Sequence, residues 1–329
     1  MKCTNNLKKK HLLILSFSVL ACVLTGCGKD AFVMPFSTYL KEETAQITDS
    51  FDEIKLVGFA DDLAVTTGDN LDKYELKKGA SGILVDINKG ETVFSQNVFQ
   101  RMYPASLTKI MTAYVACKYC KSDDIIKCTA NVSNLGFDDA VAMGLKEGDT
   151  LTFDQALHLS VAASYNDAAV AIAEHVSGSV EAFADLMNEE AKKLGATDSH
   201  FTNPHGLPDD NHYTTAYDLY LIFNAAFSNP TILEIVQCKQ YQTTYYDKNG
   251  KERGVSATNT NQYFKGTYAL PESVSIVGGK TGTTDEAGYC LSLYVRDKYS
   301  NPYIAVILGS DSRDSLYKEM TELLTALAN

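Results

Sequence analysis

Positive charge is scarce in this sequence. It carries 29 Lys and Arg against 41 Asp and Glu in 329 residues, a formal charge of −12 with a pI near 5.0. Nucleic-acid binding needs clustered basic side chains to neutralise phosphates, so nucleic acid is excluded as a partner. The apolar run from Leu12 to Leu24 is too short for a comfortable membrane span, which takes roughly 20 residues. No internal repeat is evident. His-Glu-x-x-His is absent, and no comparable carboxylate set accompanies His205 and His212, so both are read as structural and no metal is expected. What the chain does have is 45% apolar residues, enough for one substantial core or two modest ones.

The N-terminus reads as a secretory signal. Lys8, Lys9 and Lys10 precede the apolar run, and small residues follow it. Leu24-Thr25-Gly26-Cys27 resembles the lipobox of bacterial lipoproteins, in which the Cys is diacylated and becomes the new N-terminus. Residues 1–26 are therefore expected to be removed and Cys27 to carry lipid. Cleavage there removes four lysines and no acid, leaving 25 basic against 41 acidic residues and a mature charge of −16. No basic cluster remains near Cys27 to hold anionic lipid, so anchoring would rest on the acyl chains, of which two suffice where one is marginal. Five cysteines then remain: Cys117, Cys120, Cys128, Cys238 and Cys290. An odd number argues against a complete disulfide framework. Cys117 and Cys120 have zinc-like spacing, but both fall in a helical pattern with no second matched pair. Cys120 and Cys128 are close enough in sequence to bridge across a turn. Buried free thiols are the expected state.

Residues 27–78 are acidic and irregular and read as a tether, although Phe32, Phe36, Ile54 and Leu56 leave room for some packing. The domain is expected to span 79–329. Ser81–Ile87 is a short run rich in branched residues, Asn88-Lys-Gly90 supplies a turn, and Glu91–Gln96 continues as a partner strand. A helix starts near Ser106 after Pro104, with Leu107, Ile110, Met111 and Tyr114 at helical spacing. Thr152-Phe-Asp-Gln155 predicts a capping box. The helix it opens is interrupted at Ser164-Tyr165-Asn166, resumes at Ala168, and stops at Gly178. Ser179 caps another helix ended by Gly195, and Thr214 or Thr215 starts one running to Phe227. After residue 238 strands return. Lys248-Asn249-Gly250 marks a hairpin, and Ser275–Thr281, Gly288–Arg296 and Pro302–Leu308 are strand candidates. An amphipathic helix, Ser315–Ala328, closes the chain. Strands at both ends with helices between predict one antiparallel sheet assembled from the two termini, with a helical lobe over its edge and a cleft between them.

Three short motifs carry chemistry. In Ser106-Leu-Thr-Lys109 the amine can reach the hydroxyl one turn away, and the helix start favours a developing anion. Serine needs such a base to act as a nucleophile. Ser164-Tyr165-Asn166 breaks an apolar helical region and turns polar groups toward a cavity. Lys280-Thr281-Gly282 lies on a strand after Gly278-Gly279, where flanking glycines let a substrate backbone approach. Each alone has a bland reading: a helix cap with a surface lysine, a kink, a strand end. Together, in this order, they match the S-x-x-K, S-D-N-type and K-T-G signature of penicillin-binding proteins and serine β-lactamases.

The resemblance narrows further. Pro104-Ala-Ser-Leu-Thr-Lys-Ile-Met-Thr-Ala113, Phe201-Thr-Asn-Pro-His-Gly-Leu207, His212-Tyr213 with Asp218, and Gly279–Leu291 resemble the low-molecular-mass D-alanyl-D-alanine carboxypeptidases over about residues 80–328. That resemblance implies an α+β fold: a five-stranded antiparallel sheet built from both ends, flanked by helices, with an all-helical lobe inserted. It also implies hydrolysis of peptidoglycan stem peptides ending in D-Ala-D-Ala, inhibition by β-lactams, and no cofactor. Ser106 would be the nucleophile and Lys109 its base. Ser164, held by Asn166 and Lys280, would pass a proton to the leaving amine. Lys280, Thr281, Gly282 and Thr283 would bind the terminal carboxylate side, with Arg313 aligning approximately with a carboxylate-binding arginine. The backbone N–H groups of Ser106 and Thr283 would form the oxyanion hole. The sequence departs from the family at Tyr165, where a small residue is usual. Many relatives also carry a further β-rich domain and a C-terminal membrane helix. Here the sequence stops at Asn329, and the lipid on Cys27 is expected to anchor it to the outer face of the membrane. Two rival readings stand beside this one. A class A-like β-lactamase needs a deacylating Glu, and Asn203-Pro-His-Gly-Leu-Pro208 offers none. An inactive cell-wall-binding lipoprotein would not need Ser106, Lys109 and Lys280.

Overall fold

The computed structural model describes residues 63–71, 74–137 and 140–328. The expected signal, the lipid site at Cys27 and most of the tether lie outside the described residues. The antiparallel sheet forms from both ends of the domain. Its strands are β1 (Ser81–Asp86), β2 (Glu91–Gln96), β7 (Ser275–Thr284), β8 (Gly288–Arg296) and β9 (Pro302–Ser310), in the order β2-β1-β9-β8-β7. Alternation in β1 and β9 divides the core in two. Ile83, Val85, Ile304 and Val306 enter the larger core beneath the helices. Leu84, Ala305 and Ile307 enter a second core on the other face. Helix α7 (Arg313–Leu324) closes that second core with Leu316, Met320 and Leu323, and the Ser312 side chain caps its start.

The helices between the strands are α1 (Thr108–Ala116), α2 (Phe153–Val161), α3 (Asn166–Ser177), α4 (Val180–Lys193), α5 (Ala216–Phe227) and α6 (Pro230–Gln237). Local signals set their ends. The Thr152–Gln155 capping box opens α2, Gly178 in the left-handed region ends α3, and Ser179 and Thr215 cap α4 and α5. Buried α5 packs across β1 and β9, and α1 packs on α5. The segment that carries Ser106 is thereby wedged between sheet and lobe.

Two features lie beyond the expectation. The lobe carries its own sheet besides its helices: β3 (Ile125–Lys127), β4 (Thr150–Thr152), β5 (Gln240–Tyr246) and β6 (Glu252–Thr258), in that order. The hairpin expected at residues 248–250 joins β5 to β6. Packing also begins upstream of residue 79. Ala64 donates its N–H to the Tyr220 hydroxyl at 2.9 Å and accepts from Tyr217 at 3.1 Å. Asn70 pairs with Ser95 of β2 in both directions, and Gln96 clasps both backbone groups of buried Leu76. Ala64, Asn70 and Leu76 therefore pack as part of the domain, upstream of its expected start.

Candidate active site

Pro104 leads into a short 3-10 turn, Ala105–Leu107, that continues directly into α1. Ala105 adopts φ 47°, a left-handed conformation uncommon for alanine. The turn is held from three sides. The Thr108 hydroxyl donates to the Ala105 carbonyl at 2.8 Å. Gly206 abuts that carbonyl so closely that a Cβ there would lie 1.9 Å from its oxygen. Gly282 of β7 presses on the other side, where a Cβ would stand 3.0 Å from the Ser106 nitrogen. Glycine is required at both positions because backbone meets backbone.

Ser106, Lys109, Ser164, Asn166 and Lys280 come together, but the Asn166 side chain, expected to hold Ser164, accepts from Lys109 instead and leaves Ser164 to Lys280. Lys109 is fully buried, with Nζ 2.8 Å from Ser106 Oγ, 2.6 Å from Asn166 Oδ1 and 2.7 Å from the His205 carbonyl. The last two partners can only accept. A neutral lysine has two N–H groups and one lone pair, so those partners consume both N–H groups and leave the lone pair aimed at Ser106. Burial, reinforced by the charge of Lys280 and opposed by Asp167, holds the Lys109 amine well below its usual range. An amine so placed can accept the Ser106 proton. Lys280, equally buried, donates to Ser164 Oγ at 2.9 Å and to the Thr281 carbonyl at 2.8 Å, and burial lowers it to about 7. Ser164 has φ 66° in the break between α2 and α3. It accepts from Lys280 and so retains its own O–H for a substrate.

Ser106, Val141 and Thr283 line two adjoining cavities. One, of about 320 Å³, extends past Ser164 and Thr281 to Arg313. The other, of about 250 Å³, extends past Asn166 and Leu207 to Asp285 and Glu286. Because β7 is an edge strand, alternate backbone groups of residues 281–283 face this cleft. Tyr165, which could have filled the cleft, lines neither cavity. It packs against the larger core.

Several contributors escaped the sequence. The His205 carbonyl takes one Lys109 N–H, and any residue could supply it. The one available signal is the Asn203-Pro-His-Gly turn, where Asn203 Oδ1 accepts from the His205 and Gly206 N–H groups. Asp167, buried beside Asn166, gathers the N–H groups of Met143, Gly144 and Leu145. The Asn166 N–H holds the Val141 carbonyl at 2.8 Å. Together they fix the loop that walls the cleft. His212 also supports the turn. Its Nδ1 accepts from the Thr202 N–H at 3.1 Å, so Nε2 carries the proton donated to Thr108 Oγ1 at 2.8 Å. Thr260 and Gln262 line the Arg313 side, and Thr260 Oγ1 lies 2.6 Å from Thr281 Oγ1.

Comparison with known proteins agrees with this geometry. The family model for D-alanyl-D-alanine carboxypeptidases matches residues 72–312. The D-alanyl-D-alanine carboxypeptidase DacF of Bacillus subtilis is 31% identical over 251 residues, 74% of this chain and 60% of that protein. DacA of Escherichia coli is 32% identical over 254 residues, 74% and 59% respectively. The chain thus spans about three-fifths of the length of these curated relatives. Among solved structures, the Streptomyces K15 DD-transpeptidase superposes with a TM-score of 0.69 at 26% identity, covering 75% of this chain and 95% of that one. The D-alanyl-D-alanine carboxypeptidase DacD of Francisella tularensis superposes at 0.67 and 27%, covering 80% and 72%.

Proposed function

We propose, since this chain belongs to the D-alanyl-D-alanine carboxypeptidase family, that it is itself a serine carboxypeptidase removing the terminal D-alanine from peptidoglycan stem peptides. The observation that carries the reading is the buried amine of Lys109, 2.8 Å from Ser106 Oγ with its other hydrogens already committed. Ser106 Oγ attacks the carbonyl between the two D-alanines while its proton passes to Lys109. The oxyanion sits between the backbone N–H groups of Ser106 and Thr283, and one such donor is typically worth about 3 kcal/mol. Lys280 holds Ser164, which gives its proton to the departing amine. The cavity running to Thr281, Thr283 and Arg313 receives the terminal carboxylate. Water then hydrolyses the ester. Penicillin acylates Ser106 by the same route and stays, because its leaving group remains tethered. The loop from Asn203 to Pro208 offers no glutamate for rapid deacylation, which disfavours a class A-like β-lactamase. Incubation with a D-Ala-D-Ala pentapeptide should release D-alanine, and Ser106→Ala should abolish the release. Release that persists in the folded Ala variant would place the nucleophile elsewhere.

The enzyme is further proposed to act outside the cell, held to the membrane by lipid on Cys27. The support is the register of basic, apolar and small residues before that cysteine. Among the described residues no single helix is long and apolar enough to cross a membrane. Cys27→Ala should shift the protein, cleaved after its signal, from the detergent phase to the aqueous phase. A cleaved variant that stays with membranes would point to a second anchor.

A further inference from the structure

Cys120 Sγ, an Asp124 carboxylate oxygen and a His175 ring nitrogen lie within 4.8 Å of one another, away from the cleft. The proposed reaction uses none of them. They converge from three places: the turn after α1, the approach to β3, and the last turns of α3. Asp124 Oδ2 accepts the Lys121 N–H at 2.8 Å, which orients the carboxylate.

We infer that Cys120, Asp124 and His175 bind a divalent transition metal, zinc foremost, with a fourth position left for water. One thiolate, one imidazole and one carboxylate form a donor set that suits zinc, whereas calcium and magnesium take oxygen ligands alone. The side chains are already gathered, so small rotations bring them to the bond lengths of about 2.0–2.3 Å that zinc requires. The Cys117-x-x-Cys120 spacing had no second matched pair in the sequence. The fold supplies the missing partners from Asp124 and from α3. The step balances simply: the Cys120 thiol forms an S–Zn bond and releases its proton to solvent. A bound ion ties the far end of α1, which carries Lys109, to the far end of α3, which begins with Asn166.

Cobalt(II) is the direct probe. The reduced, metal-stripped protein should take up one equivalent and develop thiolate-to-cobalt charge-transfer absorption that zinc abolishes, and zinc should raise the unfolding midpoint. His175 is exposed, so His175→Ala removes a ligand without opening the core. Loss of outer-shell groups alone costs about 10–100-fold in metal affinity, so this variant should bind at least about tenfold more weakly. Cys120→Ser should lose the charge-transfer band, with circular dichroism confirming that each variant is folded. Absence of the band in the parent protein would overturn the assignment. So would unchanged affinity in both variants.

Discussion

At the scale of the residue, the account turns on two buried lysines. Lys109 loses its proton readily because burial penalises the ammonium, Lys280 repels it, and Asp167 compensates only in part. Acylation by penicillin should therefore rise with pH along a limb set by Lys109. Lys280→Ala removes the like charge, so the limb should move to higher pH. Lys109→Arg should abolish acylation, because a guanidinium does not deprotonate at usable pH. Stopped-flow acylation rates over a pH series on the three proteins would decide; an unchanged rate in Lys109→Arg would mean that another group activates Ser106. These residues were legible because serine, lysine and asparagine side chains act at fixed spacing. The His205 carbonyl was not, since a backbone acceptor leaves no mark on residue type.

At the scale of the element, the close approach of β7 to the nucleophile's turn decides whether the oxyanion donors meet. Gly282→Ala would place a methyl 3.0 Å from the Ser106 nitrogen, the Ala105 Cβ and the Pro104 carbonyl oxygen. The neighbouring backbone must give by a few tenths of an ångström, which shifts the Ser106 N–H from its place beside Thr283. The variant should keep its fold, since residue 282 is on an edge strand, yet acylate slowly; acylation at the parental rate would show that the approach is not critical. The caps at Thr152, Ser179 and Thr215 and the stop at Gly178 were readable because they are chemical signals within one turn. Strands β3 and β4, three residues each, were not, because one alternation over three residues does not stand out from chance. Nor did the segment around Asn70 announce itself. It joins β2 through backbone bonds and a few buried side chains, without any periodic apolar run.

At the scale of the whole molecule, the site makes the protein acid-sensitive. Burial keeps His212 neutral down to about pH 3 and holds His205 well below its usual range, against 6.5 for either when unfolded. The unfolded chain therefore binds more protons below pH 6.5, and stability is lost as pH falls through that window. Asp218 acts oppositely. Burial raises it from 3.8 to about 6, so the folded state gains a proton first and recovers part of the loss between those values. Two histidines against one aspartate leave a net loss of stability between pH 7 and pH 4. Urea unfolding at the two pH values measures it, and equal or greater stability at pH 4 would refute this description of the buried histidines. The central claim, that the fold assembles a serine acyl-enzyme site on Ser106, is tested most directly by intact-mass and peptide-mapping spectrometry after mixing with benzylpenicillin. The expected result is a single adduct of the antibiotic's full mass, located on Ser106 and persisting long after free drug is removed. No adduct, a rapidly vanishing one, or one on another residue would contradict the account.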